Sequence, residues 1–173
     1  MSVLIVFETV EGQTRKIAKH AEDACRKSGR DVKVVDAAEL SQAVSFAGVE
    51  HVILAAPVHE RRHPKNFEAF IAVHLDALDA CPTMMISVSL KAAFPECRDE
   101  ALDFLIEMEM RTGLNPNVEA LVAGAIRPSG YDYYAANIMQ NVVLQGQPYS
   151  PEDGEREFTD WAALDATLSA FLG

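Results

Sequence analysis

The chain has 173 residues, of which 49% are hydrophobic and 24% are charged, values typical of one globular domain. Its formal net charge of −11 argues against a nucleic-acid partner and against adsorption to an anionic membrane, because both require clustered Lys and Arg. Its three cysteines are far apart and form no C-x-x-C motif, so the sequence indicates neither a disulfide framework nor a metal site.

The first predicted element is a buried strand over residues 3–7, because a short apolar run bounded by turn residues is typical of a central parallel strand. It leads into the loop Thr9-Val10-Glu11-Gly12-Gln13-Thr14, here called the threonine loop, and then into a helix from Arg15. Free N–H groups at the helix start and the threonine hydroxyls favour a phosphate at this loop. The spacing matches neither a dinucleotide-binding motif nor a P-loop. A ligand-free turn capped by Thr is the alternative.

Strands and helices alternate along the rest of the chain. The further predicted strands cover residues 32–35, 52–56, 84–89 and 118–126, and predicted helices cover residues 15–28, 37–46 and 96–112 and begin at Pro64 and Trp161. This alternation predicts an α/β fold with a doubly wound, five-stranded parallel sheet and right-handed crossovers. We expect a single domain over residues 1–173, with an insertion at about residues 127–158 after the fifth strand.

In such a sheet a ligand lies beyond the carboxyl ends of the strands, where the strand order reverses. With the order 2-1-3-4-5, three loops meet at that point. Besides the threonine loop, they contain Pro57, Val58, His59, Ser87, Val88, Ser89 and Leu90. The first loop can hold a phosphate, and the other two can flank a flat ring and hydrogen-bond its edge.

Five stretches of the chain, in this order, resemble one family. They are Phe7-Glu8-Thr9-Val10-Glu11-Gly12-Gln13-Thr14-Arg15-Lys16-Ile17-Ala18, His63-Pro64-Lys65-Asn66-Phe67, Ser87-Val88-Ser89-Leu90, Ala123-Gly124-Ala125-Ile126-Arg127 and Phe158-Thr159-Asp160-Trp161. The chain resembles flavodoxin-fold proteins, and more narrowly the flavodoxin-type, menaquinone-dependent protoporphyrinogen IX dehydrogenases of bacteria. The resemblance implies a flavodoxin-like three-layer sandwich with the sheet order 2-1-3-4-5.

The resemblance also implies a non-covalently bound FMN. Its phosphate would lie on residues 9–14, and its isoalloxazine ring between residues 57–59 and 87–90. The family's reaction removes hydrogen from protoporphyrinogen IX, a step of heme biosynthesis, and passes the electrons through the flavin to a quinone. We therefore expect an FMN-dependent dehydrogenase, with protoporphyrinogen or another small molecule as reductant and a quinone or a redox protein as acceptor.

One local cluster of basic side chains lies at the predicted crevice. It consists of His59, Arg61, Arg62 and His63, and Lys91 and Arg127 follow neighbouring strands at the same rim. These groups can attract a carboxylated substrate or stabilise a reduced, anionic flavin. The alternative is a solvated loop in which His63 merely packs before Pro64.

The resemblance is incomplete after the fifth strand. In the family the insertion resembles a basic amphipathic helix, whereas residues 131–144 of this chain contain no Lys or Arg. Attraction to anionic lipid, about 1 kcal/mol per basic residue, is therefore missing there. In residues 138–144, Ile138, Met139, Val142 and Val143 are instead expected to form one apolar face that covers the sheet's edge and the crevice. Docking of a partner, a quinone or lipid on this face is the alternative. We expect a cytoplasmic protein with at most peripheral contact to the inner membrane, because neither a charged leader nor about 20 consecutive apolar residues occur.

Two other functions fit the same sequence. An electron-transfer flavodoxin would use the acidic surface to dock on basic redox proteins, although residues 57–63 offer no aromatic side chain to stack on a flavin. A cofactor-free flavodoxin-like binding module would account for Glu11 beside the phosphate position and Glu60 in the second loop.

Overall fold

The computed structural model describes residues 2–40, 43–130 and 133–173. The central sheet consists of β1 (Ser2–Phe7), β2 (Asp31–Asp36), β3 (Val49–Pro57), β4 (Thr83–Ser89) and β5 (Val118–Ala123). Neighbouring strands in this sheet are parallel, and their order is β2-β1-β3-β4-β5. The predicted five-stranded sheet and its order are therefore confirmed.

Helices cover both faces of the sheet. They are α1 (Gln13–Lys27), α2 (Lys65–Val73), α3 (Leu75–Asp79), α4 (Arg98–Thr112), α5 (Tyr133–Ile138) and α6 (Trp161–Leu172). Because side chains alternate along a strand, β1 serves two cores. Val3 and Ile5 pack with α1 and α6, whereas Leu4 and Val6 pack with α2 and α4. The three-layer architecture is thus confirmed.

Two predicted helices differ from the structure. The helix expected over residues 37–46 is reduced to a 3₁₀ turn at Ala37–Glu39, and residues 41–42 lie outside the described part of the chain. For α4 the sequence pattern places Leu102, Leu105, Ile106 and Met108 inward. Leu105 and Met108 are buried, but Ile106 is 41% exposed. The buried stripe of α4 instead continues through Phe104, since only residues spaced by three or four positions share a helix face.

The predicted fifth strand is interrupted at Gly124. The sheet strand β5 ends one residue earlier, and β6 (Ala125–Ile126) then pairs antiparallel with β7 (Arg156–Glu157). Between β6 and β7 the chain forms α5 and a π-helix at Met139–Val143, while residues 131–132 lie outside the described part. In the described ranges, no helix has the length and apolar character needed to cross a bilayer.

The insertion between β6 and β7 has a small core of its own. Ile126 and Leu144 are buried in it against Leu90 and Phe94, which follow β4. Tyr149 and Phe158 extend this cluster by ring contacts with Phe94, at centroid distances of 5.9 and 5.7 Å. The insertion is therefore packed against the carboxyl end of the sheet, next to the three loops.

Candidate functional site

The threonine loop connects β1 to α1 and leaves hydrogen-bond donors at the start of the helix. Gly12 has a φ of +97°, which suits glycine, and a Cβ added there meets no atom within 4 Å. The Lys16 N–H donates to the Gly12 carbonyl at 3.2 Å, so the N–H groups of Gln13 and Thr14 precede the first N–H that donates within the helix. The Thr9 hydroxyl oxygen accepts from the Gly12 N–H at 2.9 Å and closes the loop. This arrangement suits an anionic group.

A cleft of about 800 Å³, counted with its part open to solvent, lies where the three loops meet. The residues predicted to bind a cofactor that line it are Thr9, Val10, Glu11, Gln13, Thr14, Pro57, Val58, His59, Val88, Ser89 and Leu90. The topology therefore brings most of the predicted binding residues together, and their contact with a cofactor stays a prediction.

Backbone hydrogen bonds fasten the loops after β3, β4 and β5 to each other. The Val58 N–H donates to the Val88 carbonyl at 2.8 Å, and the Gly124 N–H donates to the Ser89 carbonyl at 3.1 Å. Gly124 and Ala125 also line the cleft, although we expected them inside a continuous strand. A Cβ on Gly124 would lie 3.4 Å from Val88 Cγ1, which is an ordinary van der Waals contact.

A tight turn in the second loop places Glu60 at the cleft. His59 and Arg62 face each other in an antiparallel bridge, with N–H···O distances of 2.8 and 3.0 Å. Between them, Glu60 and Arg61 have positive φ angles of 49° and 65°, as in a type I′ turn. Type I′ turns favour Asn-Gly and Gly-Gly, so the Glu-Arg pair carries no signal for this turn. Glu60 was consequently absent from the predicted binding residues.

The predicted basic cluster is paired with carboxylates of neighbouring helices. Arg61 Nη1 and Lys91 Nζ both lie 3.2 Å from the Glu100 carboxylate, and Arg62 Nη2 lies 3.2 Å from the Glu68 carboxylate. The cleft is lined by none of these three basic side chains. They tie the turn to α2 and α4, which differs from the expected role of attracting a substrate.

His63 and Ser87 lie on the α2 side of the sheet and do not line the cleft. The His63 side chain is buried, and its Nε2 is 2.9 Å from Ser87 Oγ. Burial lowers the pKa of His63 to about 4, so its imidazole is neutral at pH 7. Ser87 follows Ile86, which belongs to the core under α1, so strand alternation turns Ser87 away from that core. The predicted ligand contacts of His63 and Ser87 are therefore unsupported by the geometry.

A polar network behind the threonine loop ties α1 to β7. Gln13 Oε1 accepts from Arg127 at 2.6 Å, and Gln13 Nε2 donates to Glu157 Oε1 and Thr159 Oγ1, both at 2.9 Å. Lys16 Nζ lies 2.6 Å from the same Glu157 oxygen. The hydrogen bonds from Lys16 and Gln13 lower the pKa of Glu157 to about 2. Arg127, predicted at the rim, thus braces the loop from behind.

The insertion supplies the wall opposite the loops. Ile138, Met139 and Val143 line the cleft, whereas Val142 is 57% exposed. The Leu144 N–H donates to the carbonyl of Met139, five residues earlier, at 2.8 Å. This π-type bond widens the turn and explains why Val142 does not share the inward face that we expected for it.

We compared the chain with known proteins that could share three features. These are the strand order, the turn at Gly12 before α1 and the cleft where the strand order reverses. A family model described as "Flavodoxin domain" matches residues 4–150. The chain belongs to this family. The flavodoxin-like fold inferred from the sequence motifs is thereby confirmed.

Relatives of this flavodoxin-domain chain include two dehydrogenases. Protoporphyrinogen IX dehydrogenase (quinone) of Escherichia coli strain K12 is 25% identical over 162 residues, which cover 93% of this chain and 89% of that protein. The protein of the same name from Leishmania major is 22% identical over 172 residues, which cover 97% of this chain and 73% of that protein.

Solved flavodoxins share the fold. A short-chain flavodoxin associated with a PDU bacterial microcompartment has a TM-score of 0.59 and 12% identity, with 99% of this chain and 97% of that chain covered. Oxidised flavodoxin 1 from Bacillus cereus has a TM-score of 0.53 and 18% identity, with the same coverage of 99% and 97%.

Proposed function

We propose that this flavodoxin-domain chain binds FMN in the cleft and acts as an FMN-dependent dehydrogenase. The observation that carries the proposal is that one cleft is lined by the loop at the start of α1 and by the loops after β3 and β4. Membership of the flavodoxin-domain family supports the cofactor, and the names of the curated relatives support the reaction.

The residues of the threonine loop fit the phosphate of FMN. The N–H groups of Gln13 and Thr14 and the hydroxyls of Thr9 and Thr14 would hold it. Residues 8–14 contain no Lys or Arg, so the phosphate charge would be met by the helix dipole and hydrogen bonds instead of an ion pair. The left-handed Gly12 keeps Cβ atoms out of this space.

The other two loops fit a flat ring. Val58 and Leu90 would flank it with apolar surface, and the Ser89 hydroxyl and backbone groups would reach its edge. Bound there, FMN would supply the redox chemistry that protein side chains lack. The chain itself would fix the ring between preformed loops and exclude water with Ile138 and Met139.

For the reductant we propose protoporphyrinogen or a similar small molecule, and for the acceptor a quinone. The support is protoporphyrinogen IX dehydrogenase (quinone) of Escherichia coli strain K12, which is 25% identical to this chain over 93% of its length. The competing function is electron transfer to a redox protein, which the net charge of −11 favours because acidic surfaces dock on basic partners.

Cofactor binding is tested first, by the absorbance spectrum of the purified protein and by titration with FMN. We expect one FMN per chain, and we expect Gly12→Ala to weaken FMN binding at least ten-fold. Gly29→Ala is the matched control, because Gly29 also has a positive φ of 79° and open space, but lies at the other end of α1. A colourless protein that ignores added FMN would refute the proposal and favour a cofactor-free module.

Turnover is tested next on the FMN-loaded protein. Anaerobic protoporphyrinogen should bleach the flavin absorbance, and a quinone should restore it. If FMN binds well but protoporphyrinogen leaves the spectrum unchanged, while a basic redox protein exchanges electrons with it, the electron-transfer function replaces the dehydrogenase.

A further inference from the structure

The charged residues that line the cleft are all acidic in the described part of the chain. They are Glu11, in the threonine loop, and Glu60, in the turn after β3, and neither Lys nor Arg joins them. Basic residues close to these loops in sequence point elsewhere, since Arg61 and Lys91 pair with Glu100. The opposite wall of the cleft, formed by Ile138, Met139 and Val143 of the insertion, is apolar. A ligand that enters beside FMN therefore meets carboxylate on one side and hydrocarbon on the other.

Glu60 is held at the cleft by its backbone. The bridge between His59 and Arg62 closes the turn, and the positive φ of Glu60 fixes the direction in which its side chain leaves. The neighbouring Arg61 is anchored by Glu100 and by the Phe104 ring, 5.0 Å from its guanidinium carbon. In the described part of the chain Glu60 itself forms no ion pair, whereas Arg61 and Arg62 of the same turn pair with Glu100 and Glu68.

We propose that Glu60 is a specificity-determining residue that disfavours anionic ring compounds, so that the cleft admits the uncharged part of its redox substrate. This inference rests on the proposed function and names the substrate chemistry at the same site. Protoporphyrinogen IX, the substrate proposed above, carries its propionates on two adjacent pyrrole rings, at one edge of the macrocycle. It would have to enter with its uncharged edge toward Glu60 and leave the carboxylates outside.

The expected size of this effect follows from Coulomb's law. A unit negative charge about 8 Å from Glu60, at an effective dielectric constant of about 40, would bind about six-fold more weakly than a neutral group. Added salt should reduce the difference, because the Debye length falls from about 10 Å at 0.1 M to about 3 Å at 1 M.

The test compares two oxidised ring compounds, uncharged menadione and anionic naphthoquinone sulfonate. Their dissociation constants are measured by calorimetry on the FMN-loaded protein, where no electrons are transferred because both partners are oxidised. We expect Glu60→Gln to lower the dissociation constant of the sulfonate about six-fold relative to that of menadione, and Glu60→Lys to lower it further. In the wild type, high salt should narrow the gap between the two compounds.

Glu50→Gln is the matched control. It removes the same charge from an exposed residue at the amino end of β3, the opposite end of the sheet from the cleft. An equal effect of Glu50→Gln, or an unchanged ratio in both Glu60 variants, would overturn the inference. The same titrations on FMN-free protein should show the same direction of change, so a failure to bind FMN would refute the proposed function without removing this test.

Discussion

At the level of single residues, the largest departure from local preference is the turn at Glu60 and Arg61. Both adopt the left-handed conformation, which costs a non-glycine residue roughly 1–2 kcal/mol. Arg61 offsets this cost by its contacts with Glu100 and Phe104. For Glu60 the described residues offer no comparable ion pair, so its strain is retained at the cleft, where strained residues tend to occur.

Replacing Glu60 by glycine should release that strain. We expect Glu60→Gly to raise the free energy of unfolding by about 1 kcal/mol, measured by urea denaturation with an unchanged m-value. Glu60→Ala removes the same carboxylate but keeps a Cβ, so it should give no such gain. If both variants were stabilised equally, relief of charge repulsion and not of backbone strain would be the cause.

His63 illustrates a residue whose role could not be predicted from its neighbours in sequence. It stands in a polar loop beside two arginines, and its sequence context leaves open either contact with a ligand or packing before Pro64; its burial agrees with packing. The start of α2 after Pro64 turns its ring into the protein, where Ser87 is its hydrogen-bond partner. Ser87 is 24 residues later in the sequence, so no local sequence pattern predicts this hydrogen bond.

Removing that partner should destabilise the protein. We expect Ser87→Ala to lower the free energy of unfolding by about 1–3 kcal/mol, because a buried imidazole nitrogen loses its partner. Ser89→Ala is the control at the other serine of β4, which lines the cleft and accepts one hydrogen bond from the Ala92 N–H. Urea denaturation at pH 7 measures both, and a smaller loss in Ser87→Ala than in Ser89→Ala would contradict the assignment.

At the level of elements, β7 depends on α1 for its position. This two-residue strand is exposed and pairs only with β6 in its sheet, while Gln13, Lys16 and Trp161 all contact Glu157. A strand this short is not stable by pairing alone. The side-chain network therefore holds the end of the insertion, and with it the wall of the cleft.

Gln13→Met should loosen β7, because methionine keeps the volume of glutamine but offers no hydrogen bonds to Arg127, Glu157 and Thr159. We expect trypsin to cut after Arg156 several-fold faster in this variant, with the fragments identified by mass spectrometry. Arg26→Met is the control, since it removes an exposed ion pair with Glu22 at the far end of the same helix. Equal cleavage rates in the two variants would show that the position of β7 does not depend on the hydrogen bonds of Gln13.

The elements that sequence patterns predicted well are those whose burial is uniform. The apolar runs of β1, β3 and β4 indicated a parallel sheet, and the parallel topology then placed their loops together without further information. The extent of β5 was overestimated because Ala125 and Ile126 are as apolar as a strand, although they pair with β7 instead. The π-helix and the ion pairs with Glu68 and Glu100 depend on distant segments, so the sequence patterns carried no sign of them.

For the whole molecule, the protonation of His63 and of Glu109 makes the free energy of unfolding change with pH in opposite directions. The folded pKa of His63 is about 4 against an ordinary 6.5, so the unfolded chain binds more protons there and stability falls as pH drops from about 6.5 to 4. Burial, reinforced by the charge of Glu119, raises the pKa of Glu109 to about 7. The folded chain then binds more protons between pH 4.5 and 7, so this carboxyl costs stability as pH rises. The two slopes oppose each other between about pH 4.5 and 6.5, so Glu109 offsets part of the His63 dependence in the wild type.

In Glu109→Gln the free energy of unfolding should rise more steeply with pH than in the wild type, because only the contribution of His63 is left. Relative to the wild type, we expect the variant to be equally stable at pH 4.5 and about 1 kcal/mol more stable at pH 7.5. This gain is smaller than the full pKa shift implies, because solvent screens a half-buried carboxyl. Urea denaturation at pH 4.5, 6 and 7.5 measures the difference.

The control is Glu107→Gln, an exposed carboxyl on the same helix that lies 3.9 Å from Arg111. If the Glu109→Gln difference were constant over this range, the pKa of Glu109 would not be raised in the folded chain, and Glu109 would not oppose the His63 dependence.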